Sequence, residues 1–78
     1  MEKKYGIVKE VYIPVMNNQD VMISNKIGFT IEIDSKLYKY ETIANEEVAN
    51  IMKNDRVEII IQIIDNHKFV DIRKFEGD

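Results

Sequence analysis

Seventy-eight residues, 45% hydrophobic and 32% charged, make one small domain that must bury nearly every large apolar side chain it has. This balance excludes a disordered chain, and the absence of cysteine excludes disulfides and thiolate metal sites. The net charge of −3 weighs against a nucleic-acid binder, which carries a positive field to neutralise phosphates.

The chain opens Met1-Glu-Lys-Lys-Tyr-Gly-Ile-Val, and this apolar run is cut at once by Lys9 and Glu10. The run is too short for a signal peptide or a membrane span, so a cytoplasmic protein with no membrane partner is expected. Abundant Ile, Lys and Asn suit an AT-rich bacterial genome. The first strand is predicted over residues 4–15. Tyr5, Ile7, Val11, Ile13 and Val15 share one parity, while Gly6, Val8, Glu10 and Tyr12 share the other. Apolar residues on both faces predict a strand that bends, so that each half buries a different side. Pro14 suits a strand edge or terminus. From Met16 to Lys26, Asn17-Asn18-Gln19-Asp20 signals a turn. Val21-Met22-Ile23 then gives a loop some strand character, and an apolar contact patch if it is exposed.

A hairpin follows. Ile27, Phe29, Ile31 and Ile33 alternate with Gly28, Thr30, Glu32 and Asp34, and Tyr38 and Tyr40 return opposite in parity to Leu37, Lys39 and Glu41. Two registers are open, with either Asp34-Ser35 or Ser35-Lys36 as the loop. Both put Tyr38 and Tyr40 on the face of Phe29, Ile31 and Ile33, because an even shift preserves parity. One register also lets Glu32 pair with Lys39.

Asn45 can cap a short helix predicted over 45–53, with Glu46 and Glu47 in its first turn and an apolar stripe of Val48, Ile51 and Met52. Lys53 suits the carboxyl pole, and Asn54 suits the left-handed stop position. A strand over 57–64 puts Val57, Ile59, Ile61 and Ile63 on one face, and Glu58, Ile60, Gln62 and Ile64 on the other. A strand apolar on both sides is central or covered on its outer face. After a turn at Asp65-Asn66-His67, the last strand runs over 68–75. Val70 and Ile72 face Ile59, Ile61 and Ile63, with Phe69 and Phe75 outside and Glu58 able to pair with Arg73. Residues 76–78 read as a frayed tail. One domain over 1–78 accounts for the whole chain.

Strand, hairpin, short helix, hairpin is the element order of the OB-fold. The segment Lys53-Asn-Asp-Arg-Val-Glu-Ile59 resembles the G-D-x-V lead into its fourth strand, with Asn54 where that pattern prefers Gly. Tyr5-Gly6-x-Val8 is similar to the first strand of small OB-like or SH3-like barrels. In SH3-like barrels the helical turn usually falls between the fourth and fifth strands. Here it falls between the third and fourth, so the resemblance implies a mainly β, five-stranded, OB-like small barrel. The Met16–Lys26 loop suits an SH3-type barrel as well. The likeness covers nearly the whole chain through order and spacing, and no specific family is named by it.

Chemistry is sparse. His67 is the sole histidine and lies in a predicted turn, where a histidine is far more often a surface residue than a catalyst. No Ser-His-Asp or Cys-His arrangement lies near it in sequence, Gly6, Gly28 and Gly77 are isolated, and carboxylates alternate with bases along the strands. A non-catalytic protein without metal or cofactor is therefore expected. Ile60, Ile64 and Phe69 form a surplus apolar cluster outside the core face. In so small a domain barrel closure is the first explanation for it; left uncovered, it would be a surface for a protein partner or self-association. The alternative is an OB-like single-strand nucleic-acid binder using Tyr12, Tyr38, Tyr40, Lys68 and Arg73. The parity of Tyr38 and Tyr40 opposes it, whereas Tyr12, Phe69 and Phe75 suit exposure better. Lys3, Lys4, Lys68, Arg73 and Lys74 would make a basic edge if the first and last strands approach.

Overall fold

The period-two alternation becomes five antiparallel strands in the computed structural model, which describes residues 1–14 and 26–75. The strands are β1 (Glu2–Tyr12), β2 (Lys26–Ile33), β3 (Lys36–Ile43), β4 (Arg56–Ile64) and β5 (His67–Lys74), with helix α1 (Glu46–Ala49) between β3 and β4. This is the expected mainly β element order. The expectations for Val15, for the rest of the stretch before Lys26 and for the tail lie outside the described residues. The strands pair in the order β3-β2-β1-β4-β5, so the first strand of the sequence is the middle one of the sheet.

β1 divides its two edges between two partners. Glu2–Ile7 pair with β4 and Ile7–Tyr12 pair with β2. Val8 stands opposite Ile31 but Glu10 stands opposite Thr30, so Lys9 is the extra residue of a β-bulge. A bulge exchanges the faces of the strand beyond it, which is how β1 meets its mixed parity. Before the bulge Val8 points into the core; after it Tyr12 lies on the outer face over Gly28, where a Cβ would collide with the tyrosine ring. Gly6 serves a similar close approach, since a Cβ there would meet the Glu32 carbonyl oxygen at 2.5 Å.

Both hairpins close through two-residue loops. Ile33 pairs with Lys36 around Asp34-Ser35, and Ile64 pairs with His67 around Asp65-Asn66. All four loop residues have φ between 51° and 67°, the mirror-image turn whose twist matches that of the flanking strands. Of the two registers open for the first hairpin, the structure takes the Asp34-Ser35 loop. The second turn is shorter than expected, and His67 is the first residue of β5. Lys39 consequently stands opposite Thr30, and Glu32 instead approaches Lys9 at 3.7 Å. Arg73 faces Glu58 as expected, yet its Nε lies 3.3 Å from Asp71.

Val8, Phe29, Ile31, Tyr40, Val57, Ile59, Ile61 and Ile72 join Val48 and Ile51 in one core. Phe29 and Ile72 belong to strands separated by two others, so the sheet curls to bring them together. Edge strands β3 and β5 approach where the Thr42 hydroxyl donates to the Val70 carbonyl at 3.2 Å. The sheet is not closed there: among the described residues no backbone hydrogen bond joins β3 to β5. Tyr38 shares the core face, as its parity requires, but remains 37% exposed because its strand is an edge. Ile63 is 73% exposed rather than core, since β1 pairs with β4 only as far as Ile61.

The helix is shorter than the predicted 45–53. Asn45 caps it, accepting the Val48 N–H at 2.8 Å, but helical geometry ends at the Asn50 cap. Asp55 supplies the reason. Its carboxylate takes the Met52 N–H at 2.8 Å, a donor that a longer helix would direct to Val48. Val48 and Ile51 are buried as expected, while Met52 is exposed. Asn54 adopts φ 76°, the left-handed stop expected of it. No helix among the described residues is long and apolar enough to cross a membrane.

Two outcomes follow from the backbone. Replacing Ser35 by Gly places glycine at a left-handed position and should raise unfolding stability by ~1 kcal/mol. Gly6→Ala should lower it by about 1–3 kcal/mol through overpacking; urea midpoints check both. The Met52 N–H, with Lys74 3.5 Å away, holds the Asp55 carboxyl below its ordinary pKa. A depressed folded-state pKa gives stability that is present above the unfolded value and lost as pH falls through the folded one. Asp55→Asn should therefore flatten the acid limb of a stability–pH curve.

Candidate interaction surface

The outer side of β1, β4 and β5 is built in rows by the strand registers. Lys3, Ile60 and Asp71 make one row, and Tyr5, Glu58 and Arg73 the next. At one end of these rows Gln62 pairs with Phe69, its side-chain amide 3.4 Å from the Met1 sulfur, and Ile64 lies beyond. At the other end the Phe75 N–H donates to the Arg56 carbonyl beside Ile7. Apolar groups thus occupy both ends of the face, with charges of both signs between them.

The surplus apolar cluster of the sequence divides by position. Ile60 is only 8% exposed although it points away from the main core, because its strand has a neighbour on each side. Met1, Lys3, Phe69, Asp71 and Arg73 line a shallow groove around it. Phe69 and Ile64 remain 54% and 52% exposed, one on an edge strand and the other at the strand end where the β1 ladder has stopped. The fold therefore covers one member of the cluster and leaves two at the surface.

At the other end of this face Phe75 lies outside as expected, and Tyr5, not expected there, joins it. Tyr5 is 50% exposed and its ring centroid lies 5.1 Å from that of Phe75, with the Arg56 guanidinium 5.7 Å from the Phe75 ring. Hydrogen bonding to the Glu58 carboxylate, ahead of desolvation and charge repulsion, raises the Tyr5 phenol above its ordinary pKa. The signal was present as the shared parity of Tyr5 and Ile7, but their assignment to an outer face needed the order of strands in the sheet.

Of the residues of the nucleic-acid alternative, Tyr38 and Tyr40 come together, their rings stacked at 6.4 Å, and the others lie apart from them. Tyr38 and Tyr40 lie on the inner face, where Tyr40 belongs to the core and Lys4 sits 5.5 Å from the Tyr38 ring. Tyr12 lies on the outer face with Lys39 at 5.7 Å, and burial, then Glu41 and Glu10, raises its phenol pKa. Arg73 belongs to the Tyr5 row, which at ~3.3 Å per residue is roughly 23 Å along β1 from Tyr12. Lys68 has the inner parity of Val70 on β5. The basic edge assembles only in part: Lys3 and Arg73 line the groove on the outer face, whereas Lys4 and Lys68 have the inner parity. His67 is exposed at the start of β5, and the described residues contain no group of three or more metal-ligating side chains.

No protein-family model, curated protein or solved structure matches the chain. The division of the outer cluster sets an expectation for stability. Ile60→Ala should cost about 2–4 kcal/mol, whereas Phe69→Ala should stay within about 0.5–1 kcal/mol, as read by denaturant unfolding.

Proposed function

We propose that this chain is a non-catalytic, OB-like small barrel serving as a protein-interaction or accessory module, with the outer face of β1, β4 and β5 as its contact surface. The observation that carries the reading is the exposure of Phe69, Ile64, Tyr5 and Met1 around the buried Ile60. So small a domain gains little by leaving these groups in water, and exposed apolar surface at two ends of one face offers two contact points. Charges of both signs between the two apolar ends add polar pairing to a contact made at each end.

The OB-like reading is supported by the position of α1 between β3 and β4, and by the approach of β3 to β5 at Thr42 and Val70. Single-strand nucleic-acid binding has less support, since that mode sets aromatic platforms and bases side by side on an exposed face. Here Tyr40 is buried with Tyr38 stacked on it, and Tyr12 and Arg73 lie far apart on the other face.

A photo-crosslinking residue placed at Phe69 or Ile64 should give protein adducts in cells, and one placed at Lys53 should not. The mass of the adduct distinguishes a partner from a second copy. A protein that sediments as a strict monomer and gives no adduct from either outer-face position would remove the proposal.

A further inference from the structure

The outer face of β1, β4 and β5 is complementary to itself. The strand registers stack its side chains in rows, and parity holds them on one side because Val8, Ile59 and Ile72 take the other side into the core. The first row is Gln62 and Phe69 with Met1, whose sulfur is 3.4 Å from the Gln62 amide. In the second, Lys3 and Asp71 flank the recessed Ile60; in the third, Tyr5 and Arg73 flank Glu58. Ile7, Arg56 and Phe75 make the last row.

A second copy can lay this face on the first about a two-fold axis that crosses the strands midway between the Lys3 row and the Tyr5 row. Each strand then lies over its counterpart, running the opposite way, and the order of rows is reversed. Phe69 meets Phe75 of the second copy and Met1 meets its Ile7, so the two apolar ends cover one another. Asp71 meets Arg73 of the second copy, and Arg73 meets its Asp71. Lys3 comes over the Tyr5 ring of the second copy, beside the Glu58 that faces the recessed Ile60. Sheets packed face to face cross at about 30°, which at a strand spacing of ~4.8 Å displaces the Asp71–Arg73 pairs by about 3 Å, within the reach of an arginine. The other way of facing the copies, about an axis along β4, sets Glu58 against Glu58 and Arg56 against Arg56. Those like charges oppose it.

Charge identifies the occupant. Two copies of a protein with net charge −3 repel one another as wholes, yet this face sets Lys3, Arg56 and Arg73 against Glu58 and Asp71 and is free of that excess. The contact between Arg73 and Asp71 within one chain is exposed to water and contributes little, so both groups can pair across the axis. On the reading that the outer face is the contact surface, we infer that its partner is a second copy of this chain, docked face to face with β1, β4 and β5 antiparallel to their counterparts. Three short strands a side make a small contact, so the pairing is weak and depends on concentration.

The experiment is a sedimentation series on the full chain at low salt, from about 10 μM to about 1 mM, paired with amide NMR. The average mass should rise with concentration, and the amides of Lys3, Ile60, Asp71 and Arg73 should shift with it while those of α1 stay. Asp71→Arg sets a second cation against Arg73 of the other copy and should weaken self-association at least about tenfold; Arg73→Asp should do the same with two anions. An equimolar mixture of the two variants should associate as the unaltered protein does, because each supplies the charge the other lacks. A chain carrying both substitutions should recover as well. Neither rescue arises about an axis along β4, where Asp71 faces Lys3. Should a charge variant fail to fold, a photo-crosslinking residue at Phe69 makes the same test, and its adduct should be a second copy joined beside Phe75. A strict monomer across the series, a mixture without rescue, or an adduct joined at Met1 would overturn the inference. A monomer that crosslinks to a different protein in cells would keep the outer face as a contact surface and remove the second copy, whereas a monomer with no adduct would remove both.

Discussion

The backbone of Val8 is held from one side by the turn that leads into β4, its N–H donating to the Asp55 carbonyl at 2.9 Å and its C=O accepting from Asn54 at 2.7 Å. On the other side Ile31 of β2 stands opposite, and the Val8 side chain is fully buried. Both hairpins are attached to the molecule through this neighbourhood. β2 and β3 join the second half of β1; β4 and β5 join the first half. The bulge at Lys9 and the left-handed conformation of Asn54 follow from this double attachment. One lets the strand change faces as it changes partners, and the other turns the chain back so that β4 starts beside Ile7.

Strand parity was legible because its period is two and the register of a hairpin with one buried face is strongly specified. Phe29, Ile31, Tyr40, Ile59 and Ile72 meet in the core as their alternation requires. The length of α1 was not legible. Val48, Ile51 and Met52 have helical spacing, and a residue beyond them, Asp55, stops the helix by capturing an N–H. A side chain competing for backbone groups leaves no trace in hydrophobic periodicity. The exposures of Ile63, Tyr38, Phe69 and Ile64 were also beyond the sequence. Each depends on where a neighbouring strand stops, and the partner of each strand edge is a property of the sheet.

The candidate surfaces were legible in proportion to their distance from such edges. Ile60, Ile64 and Phe69 emerged from a simple excess, more apolar residues on the fourth and fifth strands than one inner face can use. Phe75 was placed outside with them, but its pairing with Tyr5 was not legible, because the two come together only when β1 and β5 are laid on either side of β4. The open seam between β3 and β5 depends on strand order as well as on register, since two strands far apart in sequence become facing edges only after the sheet has curled.

The use of β1 as the middle strand has a consequence for how the molecule assembles. Each hairpin is local in sequence, and hairpins form in about 1–10 μs. The β1–β4 ladder instead pairs Glu2 with Ile61, about three-quarters of the chain apart, so its formation carries the largest loop-closure cost. On the ribosome, the strand made first waits for the fourth before its free edge is satisfied. Until then that edge and the apolar side chains of the N-terminal half stand open, which makes the nascent chain rather than the finished fold the stage most exposed to mispairing.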